Sequence, residues 1–213
     1  MLWLYLQGVP LRICLLYLVI LLFSATIHEI SHAWVAFKLG DPTARNLGRI
    51  TLDPRVHLTQ MGLFAILLLP IGWANPVPIN PRNFRNYKRD TILVSLAGPL
   101  SNLLLAFVSL LVYFQVLQRL ALPSQLLSTL GLFCVSMAEI NVLLMVFNLI
   151  PFPPLDGSKI LTCFLPYRTR EFMYRMEHYG IFVLFLIINV LSPIMRIAQN
   201  AVIDALMVVT SWI

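Results

Sequence analysis

Residues 13–37 read ICLLYLVILLFSATIHEISHAWVAF, and this stretch decides the fold. Its length exceeds the roughly 18 to 20 apolar residues that an α-helix needs to cross about 30 Å of hydrocarbon. Its second half carries His28, Glu29, Ser31 and His32, and such groups on a spanning helix are costly enough to require a chemical reason. A hydrophobic run near the N-terminus can be a cleaved leader. This one is too long, ends in His and charged residues and lacks a small-residue cleavage site, so it is expected to stay in the mature chain. Composition extends the reading to all 213 residues, of which 59% are hydrophobic and 11% charged, against about 25% charged in a soluble domain. The expected fold class is all-α integral membrane, because within hydrocarbon a helix satisfies its backbone polar groups by itself.

Outward from this run, residues 38–57 are polar and contain Gly40, Pro42, Gly48 and Pro54; they read as a loop with a short extended edge over residues 46–52. Residues 58–73 are apolar, but they are broken by Pro70 and Gly72 and have basic loops on both sides. The pattern fits a re-entrant or interfacial segment better than a span. Full spans are expected over residues 91–116 and 125–150, then a fourth over 179–191, followed by an apolar C-terminal segment at 194–213. The result is a polytopic bundle of four to five spans forming a single transmembrane domain over 1–213, with no room for a separate soluble domain. Cys14, Cys134 and Cys163 form no CxxC pair and read as packing residues.

The net charge of +6 reflects topology and not nucleic-acid binding, since the basic residues cluster in short loops between apolar runs. With the N-terminus outside, twelve of the fifteen Lys and Arg lie on the cytoplasmic side, leaving Arg12, Arg119 and Arg196 outside. This orientation predicts a multi-pass protein of the cell membrane. It also brings the second half of the first span and the end of the third to one depth near the cytoplasmic face.

His28-Glu29-Ile30-Ser31-His32 matches HExxH. At about 100° and 1.5 Å per residue, its two imidazoles differ by about 40° around the helix and about 6 Å along it, a spacing that suits one tetrahedral Zn²⁺. Glu29 lies on the adjacent face, beyond ligation but within reach of a water at the metal, as a general base requires. Val35 and Lys38 stand where a longer soluble motif would place Gly and a third His, so the third ligand comes from elsewhere. Asp156 is the best candidate: NLIPFPPLDG, residues 148–157, ends a hydrophobic helix in a proline-rich turn that fixes a carboxylate at the membrane edge. The bland alternative is that Asp156 caps the next short helix.

HEISH, AGPLSN and NLIPFPPLDG occur in an order that resembles the site-2 protease family of intramembrane zinc metalloproteases, over most of the chain between residues 13 and 179. The resemblance implies a core of three transmembrane helices, zinc on His28, His32 and Asp156, Glu29 as base, and cleavage of a partly unwound transmembrane helix in a substrate protein. It also gives Asn148 a substrate-contacting role near the scissile carbonyl. The alternative for Asn148 is a hydrogen bond to a neighbouring helix. PDZ and CBS modules, frequent in the family, have no counterpart in these residues.

Asn75 and Pro76, in the proline-rich GWANPVPIN, read equally well as a cleft lining that pairs with substrate or as plain loop. Asn102 reads as packing the second span against the first beside Gly98. Glu139 reads as an interhelical hydrogen bond or a protonated carboxyl, and His57 and His178 as interfacial residues. The function expected is hydrolysis of peptide bonds within or near transmembrane segments, that is, regulated intramembrane proteolysis. The alternative is a non-catalytic membrane protein that binds metal or helices, in which Glu29 would have no task.

Overall fold

A computed structural model describes residues 2–57, 75–120, 123–177 and 180–212. After a short helix α1 (Leu2–Leu6) and a turn at Gly8, the long α2 (Leu11–Lys38) begins behind Pro10. It stops in a glycine-dependent turn. Gly40 adopts φ of 108°, its N–H donates to the Phe37 carbonyl at 3.2 Å, and the Asp41 N–H donates to the Ala36 carbonyl at 2.9 Å. These two bonds satisfy carbonyls that the helix end would otherwise leave open.

The connection that follows carries α3 (Thr43–Asn46) and α4 (Pro54–His57). The extended edge expected over residues 46–52 is absent: α3 runs into a turn at Gly48, whose φ of 68° takes the chain out of extended geometry, and no strand forms among the described residues. Side chains replace a ladder here. Fully buried Asp41 accepts from the Thr43 N–H and hydroxyl, from the Asn80 N–H at 2.7 Å and from the Asn83 side chain at 2.7 Å. Burial opposes ionisation of Asp41, and these donors outweigh it, holding the carboxyl below its ordinary range. His57, expected at an interface, is instead 1% exposed and bonded to the Thr51 carbonyl at 2.9 Å. The proposed re-entrant segment, 58–73, and His178 lie outside the described residues.

The remaining helices are α5 (Tyr87–Gln115), α6 (Ser124–Asn148), α7 (Asp156–Thr162), α8 (Tyr167–Glu177) and α9 (Gly180–Trp212). Four helices among the described residues are long and apolar enough to cross a membrane, over Leu11–Lys38, Tyr87–Arg119, Ser124–Asn148 and Val190–Trp212. The chain is a polytopic all-helical membrane protein. The fourth span and the C-terminal segment, separate in the sequence reading, are one continuous helix with Pro193 inside it. Pro193 has no N–H to donate one turn back, an omission that spanning helices tolerate.

Helix α5 is the centre of the bundle and packs most extensively against α6 and α2. Ala106 and Leu110 of α5 meet Ala138 and Val142 of α6, and Val202, Ile203 and Leu206 of α9 cover the seam. Small residues at the crossing let the backbones approach closely, which is how helices associate where lipid removes the hydrophobic drive. This arrangement sets Gly98 and Asn102 of α5 against the polar half of α2.

Candidate active site

His28 and His32, four residues apart on α2, project toward α5 and are 6% and 4% exposed. Asp156 reaches them from the turn after α6. That turn closes tightly: a Cβ on Gly157 would lie 2.3 Å from the Leu149 carbonyl oxygen and 2.5 Å from that of Ile150, so only glycine fits beside Asp156. Leu155 occupies the cap of α7 and Asp156 its first residue. The Asp156 carboxylate therefore turns away from a capping role and faces the two imidazoles.

The three donor atoms form a near-equilateral triangle. His28 Nε2 and His32 Nε2 are 3.0 Å apart, and each is 3.1 Å from Asp156 Oδ2. Tetrahedral zinc with bonds of about 2.0 to 2.1 Å requires donors about 3.3 Å apart. Proton placement completes the test of fit. His32 Nδ1 lies 2.7 Å from the Val94 carbonyl oxygen, which can only accept. His28 Nδ1 meets Asn102 Oδ1 at 2.5 Å; Asn102 Nδ2 donates to Asn141 Oδ1 at 2.8 Å; and Asn141 Nδ2 donates to the Met137 carbonyl and the Ser24 hydroxyl, each at 2.8 Å. The Met137 carbonyl, an obligate acceptor, orients both amides and so makes His28 Nδ1 a donor as well. In the neutral imidazoles a proton on each Nδ1 turns both Nε2 lone pairs, with a carboxylate oxygen, on one point, and a cation fits that donor set. His28, His32 and Asp156 could hold a metal ion.

The other oxygen of Asp156, Oδ1, accepts from Lys159 Nζ at 3.1 Å, leaving Oδ2 for the triangle. Glu29, one residue from His28, is held on its Oε2 by the Val77 N–H at 2.9 Å. Gly98 makes the close approach of α5 possible: an added Cβ would stand 2.4 Å from His32 Nε2 and 2.5 Å from His28 Nε2.

Two comparisons with known proteins bear on this geometry. The model of peptidase family M50 matches residues 16–131 and 117–191. The chain belongs to peptidase family M50. Among relatives of this M50 member, the Bacillus subtilis protein named "Putative zinc metalloprotease YwhC" is 42% identical over 179 residues, covering 82% of this chain and 80% of that protein. "Putative zinc metalloprotease Rip2" of Mycobacterium tuberculosis is 31% identical over 177 residues, 81% of this chain and 65% of its own length. "Putative zinc metalloprotease MJ0611" of Methanocaldococcus jannaschii is 43% identical over 136 residues, 63% and 62% of the two lengths. No solved structure matches. Zinc is the metal that the M50 relatives' names and the histidine and carboxylate donors of this chain agree on.

The other residues singled out in the M50 sequence fall differently. Asn148 is half-buried at the end of α6, and its amide donates to the Leu144 carbonyl of the same helix at 2.9 Å. Asn75 and Pro76 are joined to the surroundings of Glu29 through their backbone: they precede Val77, whose N–H donates to Glu29, and their carbonyls accept from Arg49. The side chain of Glu139 is exposed, and the link to α9 runs from Gln199 to its main-chain carbonyl at 3.2 Å, so the expected interhelical bond involves backbone and not carboxyl. Asn102, read from sequence as a packing residue, is the partner of His28. AGPLSN was a visible signal for that role, whereas the Val94 carbonyl and the Val77 N–H belong to main chain that no residue type advertises. Asn102→Leu is expected to weaken zinc affinity about ten- to hundredfold with little loss of helicity, as for other partners that orient a metal-binding imidazole; chelator competition monitored beside circular dichroism measures both.

Proposed function

We propose that this chain is an intramembrane zinc endopeptidase that cleaves transmembrane proteins within or near their spanning segments. The observation that carries the reading is the convergence of His28, His32 and Asp156 beside a carboxylate, Glu29, that takes no part in the triangle yet is held in place. A protein that only stores or carries metal has no use for Glu29. His28, His32 and Asp156 hold the ion, Asn102, Val94 and Lys159 orient them, and Zn²⁺ bound there supplies charge that polarises a peptide carbonyl and eases ionisation of water. Glu29, with Oε2 engaged by Val77, accepts the proton of the attacking water on Oε1, which has no partner among the described residues, and hands it to the leaving amine. Asn148 keeps a second amide hydrogen to offer the scissile carbonyl, and residues 75–77 line the approach to Glu29.

The charge asymmetry of the loops supports an external N-terminus and a site near the cytoplasmic face. A substrate helix must unwind to reach the site, because a helical carbonyl is already hydrogen-bonded and covered by side chains. Paired substrates test this. Purified protein in liposomes is expected to cleave a transmembrane peptide with Gly near the scissile bond faster than its all-Leu counterpart, since propensity differences of up to about 1 kcal/mol per residue add over the unwound stretch. Chelation should stop both reactions and zinc restore them. Equal rates for the pair would remove the unwinding step, and cleavage that survives chelation would remove the metal-dependent reading altogether.

A further inference from the structure

Arg49 is a buried cation, 9% exposed, in the connection after α3. Among the described residues no carboxylate lies within ion-pair distance of it, and its Nε has no partner. Burying a guanidinium without an anion is costly and calls for a reason. Its Nη1 donates to the Val56 carbonyl at 2.7 Å, and its Nη2 donates to the Asn75 carbonyl at 2.6 Å and the Pro76 carbonyl at 3.2 Å. The Pro76 carbonyl belongs to the same planar peptide unit as the Val77 N–H, and that N–H donates to Glu29 Oε2 at 2.9 Å. One rigid amide thus has a cation at its oxygen and a carboxylate at its hydrogen. Hydrogen bonds in such a chain polarise one another, and a cation on the carbonyl strengthens the N–H as a donor.

We propose that Arg49 is a positioning residue for Glu29, acting through the Pro76–Val77 peptide. The inference rests on the reading of Glu29 as the base. Pro76 and Pro78 have no N–H of their own, so in this part of the segment the Val77 N–H is a donor that register alone cannot replace by either neighbour. The guanidinium fork, gripping the carbonyl of Val56 together with those of Asn75 and Pro76, sets where that N–H points.

The test is a double-mutant cycle in liposomes with a transmembrane peptide substrate, reading kcat, KM and zinc content. Arg49→Ala is expected to lower kcat about a hundredfold, the scale of a displacement of about 1 Å in a reacting group, with KM and zinc content within about threefold of wild type. Arg49→Lys, which keeps a cation but not the fork, should recover about tenfold of that loss. Val77→Pro, which deletes the donor and leaves Arg49 in place, should match Arg49→Ala, and adding Arg49→Ala to it should cost less than about threefold more. Several outcomes overturn the proposal: an equal penalty for Arg49→Ala in both backgrounds, a Val77→Pro enzyme at the wild-type rate, a rise in KM with kcat kept, or loss of zinc from Arg49→Ala. Glu29→Gln separates the two levels. If it stays active, the base reading fails and this proposal with it; if it is inactive while Arg49→Ala and Val77→Pro remain at the wild-type rate, only the proposal fails.

Discussion

Glu29→Gln is expected to retain zinc at the wild-type level and to lose cleavage by a factor of about 10³, or about 4 kcal/mol of transition-state stabilisation. The amide is nearly isosteric with the carboxylate, and its carbonyl oxygen can still accept from the Val77 N–H that holds Glu29 at 2.9 Å. The geometry therefore survives, and only the capacity to take a proton is lost. Zinc content by metal analysis and turnover of a transmembrane peptide in the same preparation read the two properties separately. Turnover retained by the Gln variant would assign the proton transfer to another group, and zinc lost with activity would mean that Glu29 supports the metal and not the reaction.

Gly98→Ala is expected to weaken zinc binding about ten- to hundredfold while the helical bundle persists. A methyl at this position stands within 2.5 Å of both Nε2 atoms, closer than any relaxed contact, and the imidazoles have no free direction because their Nδ1 atoms are bound to Asn102 and Val94. Overpacking of this kind costs roughly 1 to 3 kcal/mol, and each 1.4 kcal/mol is about tenfold in affinity. Gly131→Ala in α6 is the matched control. Among the described residues its methyl would meet only the ring edge of Tyr113, at 3.1 Å, where a small ring movement suffices, and zinc affinity should be unchanged. Chelator competition on the two variants decides the matter, and equal affinities would show that α5 yields at Gly98.

What the sequence by itself determined are the features written in local patterns. An apolar run of sufficient length is a spanning helix whatever surrounds it, because hydrocarbon leaves the backbone no other partner; on this ground three of the spans were legible to within a few residues of their ends. HExxH carries its own geometry, since the helical repeat alone puts His28 and His32 on one face. The proline-rich turn singled out Asp156, and the structure brings its carboxylate to the two imidazoles.

What the tertiary structure decided are the relations between main chain and side chain at long range. Asn102 looked like packing because its partner, His28, is 74 residues away in the chain, and its orientation is settled by a relay ending at the Met137 carbonyl. The donor to Glu29 is a backbone N–H 48 residues distant, at Val77. The supposed edge over residues 46–52 became turns, because Asp41 and Arg49 bind the neighbouring loop through side chains where a ladder would have used backbone. A residue's type states which bonds it can make, but only the packing of α2, α5 and α6 determines which main-chain groups are left to make them with, since every helix consumes most of its own.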